Sequence, residues 1–249
     1  MIRVLYIDDE SALLTLTQIY LREEASLNVE IASSAIEGLN LLKTNAYDAI
    51  ISDYDMPDMD GIEFLKQVRE FDLAIPFIIF TGKGREEVAI EALNNGADFY
   101  IQKGGDPHSL FTELANAIRH LVRRSHAERN AIQSEQHLRA FLNALPDLAF
   151  IKGPDLRLLH INAAFQNYLN LSSADDAIGR FDGDLLPEIF LPIMKSSDSI
   201  IIEQNIPVTS QISTEGRVFE IQKFPLPFPD GQTGIGGIIR DISHVQTGL

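Results

Sequence analysis

Four short stretches carry polar residues of a kind that could act together. Asp8 and Asp9 close RVLYIDDE (residues 3–10), and Asp53 follows the apolar run of AIISDYDMPDMDG (49–61). Thr81 closes the apolar part of PFIIFTGKG (76–84), and Lys103 that of ADFYIQKGG (97–105). A carboxylate pair, a third carboxylate, a hydroxyl and an ammonium around one hollow would bind a hard divalent cation and a phosphoryl group together. Each polar residue follows an apolar run of the sort found in parallel strands covered on both faces by helices. Helix-length segments separate the runs, so strand and helix alternate and predict a right-handed parallel sheet. All the polar ends then share its carboxyl edge, where a rigid sheet holds accessible side chains.

Asp8, Asp9 and Ser11 are also suited to capping the helix that follows. A calcium loop fails on register: with Gly61 at loop position 6, position 1 is Met56 and position 12 is Gln67. Asp53 and Asp55 imitate the D-x-D of haloacid-dehalogenase-type phosphatases, but there the nucleophile motif comes first and the acidic pair late, the reverse of the order here.

Residues 1 to about 122 resemble the receiver domain of two-component response regulators, with the acid pair, Asp, Thr and Lys in the same order. The resemblance implies a flavodoxin-like, doubly wound sheet of five parallel strands. By it, Asp53 is the phosphoacceptor, Asp9 a direct Mg²⁺ ligand, Asp8 a ligand through water, and the Asp55 backbone carbonyl the third protein ligand. Thr81 and Lys103 would hold the phosphoryl oxygens, and Tyr100 matches the aromatic switch position. The family usually has Pro after this Lys, in a cis bond; here Gly104 follows, which predicts a more mobile loop.

The chain has 249 residues, 45% hydrophobic and 22% charged, enough for two globular domains. Its formal net charge of −16 argues against a nucleic-acid partner, since phosphate backbones are held by clustered Lys and Arg. The absence of Cys excludes disulfides, thiol catalysis and zinc-thiolate sites. No apolar run approaches the roughly 18 residues of a membrane span, and Met1 leads directly into a strand, so a soluble, cytoplasmic protein is expected.

Along the first domain, apolar spacing predicts helices over Ser11 to about Ala25, Ala35–Leu42, Gly61–Glu70 and about Arg85–Asn95, the last with Glu86, Glu87 and Glu91 on a solvated surface. From Pro107, Phe111, Leu114, Ile118 and Leu121 follow a 3-4 spacing. Residues 123–140 contain no Gly or Pro and continue as a polar helical linker, with Arg124/Glu128 and Glu135/Arg139 spaced i,i+4.

Residues 141–249 form the second domain. Two strands, LPDLAFIKG and LRLLHINAAF, are followed by a helix capped by Asn162, a helix-rich middle from about Ser172 to Asn205, and strands at Val208–Ser213, Arg217–Phe224 and Ile235–Ile242. The opening "LPD", the "N-A-A-F" helix start and the closing Arg240-Asp241-Ile242-Ser243 resemble the PAS family, which implies a small antiparallel α+β domain. With no Cys, the cysteinyl-flavin adduct of light-sensing relatives is closed, and His160 and His244 are poorly placed as haem ligands. Phe150, Phe165, Phe219 and Ile238 are expected in the core or lining an apolar pocket.

Together these readings describe a non-enzymatic phosphorelay protein. Asp53 would receive phosphate from a cognate histidine kinase, with Mg²⁺ as cofactor. The change would pass along the helix to the PAS module or a downstream protein partner, with phosphorylation-dependent homodimerisation through the helix. The alternatives are a small-molecule sensor in which PAS binds a ligand of unknown chemistry and the receiver only docks, or a fragment of a longer hybrid sensor kinase.

Overall fold

A computed structural model describes residues 1–23, 25–71, 74–82, 86–214 and 216–243. They divide into two compact units, Met1–Ile132 and Gln133–Leu249. The expected helix start at Arg85, the side chain of Glu86 and His244 lie outside the described residues.

In the first unit strand and helix alternate as β1 (Arg3–Ile7), α1 (Ser11–Glu23), β2 (Asn28–Ala32), α2 (Ala35–Thr44), β3 (Ala49–Ser52), α3 (Gly61–Phe71), β4 (Phe77–Thr81), α4 (Glu86–Asn94), β5 (Phe99–Gln102) and α5 (Pro107–Ala144). The sheet is parallel throughout, in the order β2-β1-β3-β4-β5. Alternate strand residues serve opposite faces, as the two-residue period requires. Val4, Tyr6, Ile51, Ile78 and Phe80 pack with Leu14 and Leu21 of α1 and with Phe111 and Ile118 of α5. Leu5, Ile7, Ile50, Phe77 and Ile79 pack with Ala35 of α2 and with Ile62, Phe64 and Leu65 of α3. Pro76 precedes β4, and its carbonyl accepts from Ile50 N at 2.8 Å.

Helix α5 is continuous over 38 residues. Its buried stripe is Phe111, Leu114, Ala115, Ile118, Val122 and Ser125, so Val122 takes the place expected for Leu121, which is only partly buried. A period of 3.6 carries the stripe to Val122 and on to Ser125. There Ser125 Oγ donates to Ala74 O at 3.1 Å and His126 Nε2 donates to Asp48 Oδ1 at 3.1 Å. No helix among the described residues is long and apolar enough to cross a membrane.

The second unit contains β6 (Leu148–Lys152), β7 (Leu158–Ile161), α6 (Ala163–Tyr168), α7 (Leu191–Gln204), β8 (Val208–Thr214), β9 (Arg217–Pro227) and β10 (Thr233–Asp241). Its sheet is antiparallel, in the order β7-β6-β10-β9-β8. The middle expected to be helix-rich is three 3-10 turns, at Ala174–Ala177, Asp182–Asp184 and Glu188–Phe190, followed by the single helix α7. Phe150, Ile161, Phe165, Phe190, Met194 and Phe219 form the core between sheet and helices.

Two polar devices hold this unit together. The fully buried Asn162 receives the N–H groups of Ala149 (2.9 Å) and Phe165 (3.0 Å) on its Oδ1, and its Nδ2 donates to the carbonyls of Leu142, Leu145 and Asp147 at 3.0, 3.3 and 2.9 Å. One carboxamide thus ties the end of α5, β6 and the start of α6. The second device is ionic. Lys152 Nζ donates to Asp182 and, at 2.6 Å, to Asp198 Oδ2, while Lys223 Nζ donates to Asp198 Oδ1 at 2.5 Å and to Met194 O at 2.9 Å. Both lysines are almost wholly buried, and burial, then Lys152, push Lys223 down to about 8 against the pull of Asp198.

Replacing Asn162 with Ala leaves five backbone groups, two of them buried, without their side-chain partner. We expect a loss of about 3 kcal/mol of second-unit stability, measured by urea unfolding. For Lys223, an unfolded lysine near 10.5 keeps a proton that the folded one has shed above about 8. Stability should therefore rise with pH between those values, with a slope of up to about 1.4 kcal/mol per pH unit. Urea midpoints from pH 8 to 10 read this directly, and Lys223→Met should flatten the rise.

Candidate functional site

The ends of β1, β3, β4 and β5 converge as the alternation predicts. Asp8, fully buried, follows β1, and Asp53, 5% exposed, follows β3, whose end is fixed by Asp53 N donating to Ile7 O at 2.8 Å. Lys103, just past β5, bridges them: its Nζ donates to Asp8 Oδ2 at 2.7 Å and to Asp53 Oδ1 at 2.8 Å. Its own backbone N–H donates to Thr81 O at 2.7 Å, which places the buried Thr81 beside it. Ligand oxygens of Asp8, Asp9 and Asp53 all lie within 4.8 Å of one another, with Asp9 exposed. This all-oxygen donor set fits a hard divalent cation such as Mg²⁺.

The charges here act against their surroundings. Burial raises the Asp53 carboxyl above the usual carboxylate range even though Lys103 pulls it down. Burial pushes the Lys103 ammonium down, but its hydrogen bonds to Asp53 and Asp8 outweigh that and hold it above the ordinary lysine value. Lys103 therefore stays charged.

Two supporting residues were not singled out from sequence. Tyr6, wholly buried on β1, donates to Asp8 Oδ2 at 2.5 Å, while Glu10 N donates to Asp8 Oδ1 at 2.9 Å. The signal was available: Tyr6 and Asp8 lie two apart on a strand, hence on one face, and a buried phenol needs a partner. Gly61 is the second. Its N–H donates to Tyr54 O at 2.9 Å, and a Cβ there would stand 2.2 Å from the Asp53 carbonyl oxygen, so only glycine lets the loop close behind Asp53.

Asp55 lies in the turn after Asp53, to whose Oδ2 its N–H donates at 3.1 Å. Tyr100 sits on β5 half-buried, and burial raises its phenol. It belongs with the cluster around Ile79 and Leu65, on the sheet face opposite Tyr6. Gly104 and Gly105 have φ of +157° and +81°, which no proline could adopt at either place because its ring holds φ near about −65°. The absence of the family's usual Pro is thus built into this loop.

A family model described as response regulator receiver domain matches residues 4–115, and one described as PAS fold matches residues 142–247. The transcriptional regulatory protein TrcR of Mycobacterium tuberculosis is 38% identical over 131 residues, 52% of this chain and 49% of that protein. The transcriptional regulatory protein SrrA of Staphylococcus aureus is 35% identical over 136 residues, 55% of this chain and 54% of that protein. The chain spans about half the length of the curated relatives it matches. Among solved structures, a response regulator receiver domain protein from Clostridium thermocellum is 31% identical, covering 51% of this chain and 98% of its own, with a TM-score of 0.47. The acidic edge of the parallel sheet and the antiparallel sheet beyond α5 thus fall within two matched families, and the chain joins a response regulator receiver domain to a PAS domain.

Proposed function

We propose that Asp53 accepts a phosphoryl group from the phosphohistidine of a histidine kinase. The observation that carries this is the Lys103 bridge, which holds an ammonium donor at 2.8 Å from the Asp53 carboxylate and anchors it through the buried Asp8. In the transfer, an Asp53 oxygen forms the new bond to phosphorus as the phosphorus–nitrogen bond breaks. Lys103 then exchanges its contact with Asp53 for one with a phosphoryl oxygen, and Thr81, beside it, offers a hydroxyl to another. Asp8, Asp9, Asp53 and the Asp55 carbonyl would hold Mg²⁺, which when bound neutralises charge on the phosphoryl oxygens. The chain itself needs no general base, because the nucleophile is already a carboxylate.

We read the output as conformational. Thr81 and Tyr100 lie on adjacent strands, and movement at either would reach the surface around α4 and α5. The intact acid set favours phosphoryl acceptance over a receiver that only docks. A net charge of −16 keeps nucleic acid out of this reading, with a protein partner or the PAS domain receiving the signal.

Acetyl phosphate with Mg²⁺ should add one phosphoryl group to the protein by intact mass, and Asp53→Ala should remove it. Labelling of that variant at the parent's rate would sink the assignment. The helix from Pro107 to about Leu145 should support association only after phosphorylation, because mostly polar positions follow the apolar frame of Phe111, Leu114, Ile118 and Leu121 and would weaken a permanent coiled coil. Sedimentation should show a shift toward dimer with a phosphoryl analogue, and a tight dimer in both states would refute it.

A further inference from the structure

Asp8 is wholly buried, and three donors converge on its carboxylate. The Glu10 N–H takes Oδ1 at 2.9 Å, while the Tyr6 hydroxyl and the Lys103 ammonium share Oδ2 at 2.5 and 2.7 Å. With donors on both oxygens, the carboxylate cannot turn without breaking a charge-assisted hydrogen bond. Packing in turn fixes Tyr6. Its ring is unexposed, lies 6.3 Å from that of Phe80, and belongs to the cluster with Leu14 and Leu21 of α1 and Phe111 and Ile118 of α5. Burial, then the charge of Asp8, raise the phenol far above the usual tyrosine value, so it remains a donor.

Lys103 needs such an anchor. On one side its backbone is tied to β4, the N–H donating to Thr81 O at 2.7 Å. On the other follow Gly104 and Gly105, and a Cβ on either would meet nothing within 4 Å. Two glycines in open space restrain the chain little. The long side chain is therefore held from its far end, where Nζ reaches Asp8 Oδ2 and Asp53 Oδ1 and stands 5.5 Å from the centre of the Phe80 ring. On the reading of Asp53 as the acceptor, transfer replaces the contact with Asp53 by one with a phosphoryl oxygen. Asp8 Oδ2 is then the contact that persists, and Tyr6 is what holds it in place.

We infer that Tyr6 is a positioning residue for phosphoryl transfer: through Asp8 Oδ2 its hydroxyl fixes the Lys103 ammonium where an oxygen of the incoming phosphoryl group arrives. This rests on the reading of Asp53 as the acceptor and adds to it a residue that touches neither phosphorus nor cation. Placement matters at such a site, since a misplacement of about 1 Å can cost about a hundredfold in rate. Loss of the one hydrogen bond that Tyr6 supplies is the smaller change, worth about tenfold. In labelling by acetyl phosphate, an Asp53 oxygen bonds to phosphorus as the phosphorus–oxygen bond to acetate breaks and acetate leaves. Lys103 is neither consumed nor deprotonated in this step, so its contribution is one of place and charge, which is what an anchor can alter.

Tyr6→Phe keeps the packed ring and removes only the hydroxyl. With acetyl phosphate and saturating Mg²⁺, the full chain carrying this change should be labelled about tenfold more slowly than the parent. Lys103→Met should also be slow, and adding Tyr6→Phe to it should cost nothing more, because residues that act through one another are not additive. A second reading needs no phosphoryl donor. By nitrogen NMR the Lys103 ammonium, identified by its loss in Lys103→Met, should exchange its protons with water about tenfold faster in Tyr6→Phe. The role of Tyr6 is overturned if Tyr6→Phe is labelled at the parent's rate, if the double variant is slower than Lys103→Met by the same factor again, or if the ammonium exchange is unchanged. A Tyr6→Phe chain without a folded amide spectrum overturns it equally, since the hydroxyl would then serve the fold alone. A parent that takes no label at Asp53 defeats the reading of Asp53 instead, and the ammonium exchange still decides whether Tyr6 anchors Lys103.

Discussion

Charge in the receiver is concentrated where a parallel sheet can least dilute it. The sheet ends on an edge with three carboxylates whose ligand oxygens lie within 4.8 Å of one another, two of the side chains being buried. Left alone they would repel. Lys103 opposes this by reaching across from just past β5 to donate to Asp8 and Asp53, and Tyr6 and the Glu10 N–H donate to Asp8 as well. The parallel register supplies the distances, because it brings the ends of β1, β3 and β4 level. The loop glycines supply the room. A hard cation entering here would meet oxygen donors already gathered.

The PAS unit meets the same difficulty in its interior and answers it without a ligand. Two lysines on the core side of the sheet share Asp198 from α7, with Asp182 from a 3-10 turn completing the chain of contacts. Removing one partner from such a network leaves a buried charge uncompensated, which is why ionic cores are costly to break even where they add little stability when whole. The network pins α7 to β6 and β9.

Much of the receiver was legible because its chemistry follows strand ends. Asp8, Asp9, Asp53, Thr81 and Lys103 each terminate an apolar run, and a two-residue period with alternating helices allows few other topologies. Tyr6 and Gly61 were harder, since a tyrosine in a strand reads as core and a loop glycine as a turn, and their importance lies in contacts to residues far along the chain. In the PAS domain the strands emerged within a few residues, but the stretch from Ser172 to Phe190 is composed of short 3-10 turns whose geometry depends on packing more than on periodicity. Lys152 and Lys223 gave no sign of burial, as lysines in strands are ordinarily solvated. The helix α5 read correctly as continuous, whereas its last buried position shifted from Leu121 to Val122 and Ser125.

The strand order β7-β6-β10-β9-β8 places the last strand to be synthesised in the centre of its sheet. Until residues 233–241 leave the ribosome, β6 and β7 on one side and β8 and β9 on the other are separate hairpins with unpaired inner edges. Such two-stranded pieces are marginal in water. The receiver sheet, by contrast, is complete once residue 102 has emerged and needs only α5 to cover it. During synthesis the acidic edge of the receiver therefore forms well before the PAS sheet can close. A chain interrupted before β10 would carry an assembled receiver sheet joined to two exposed hairpin edges, the kind of surface that recruits other strands.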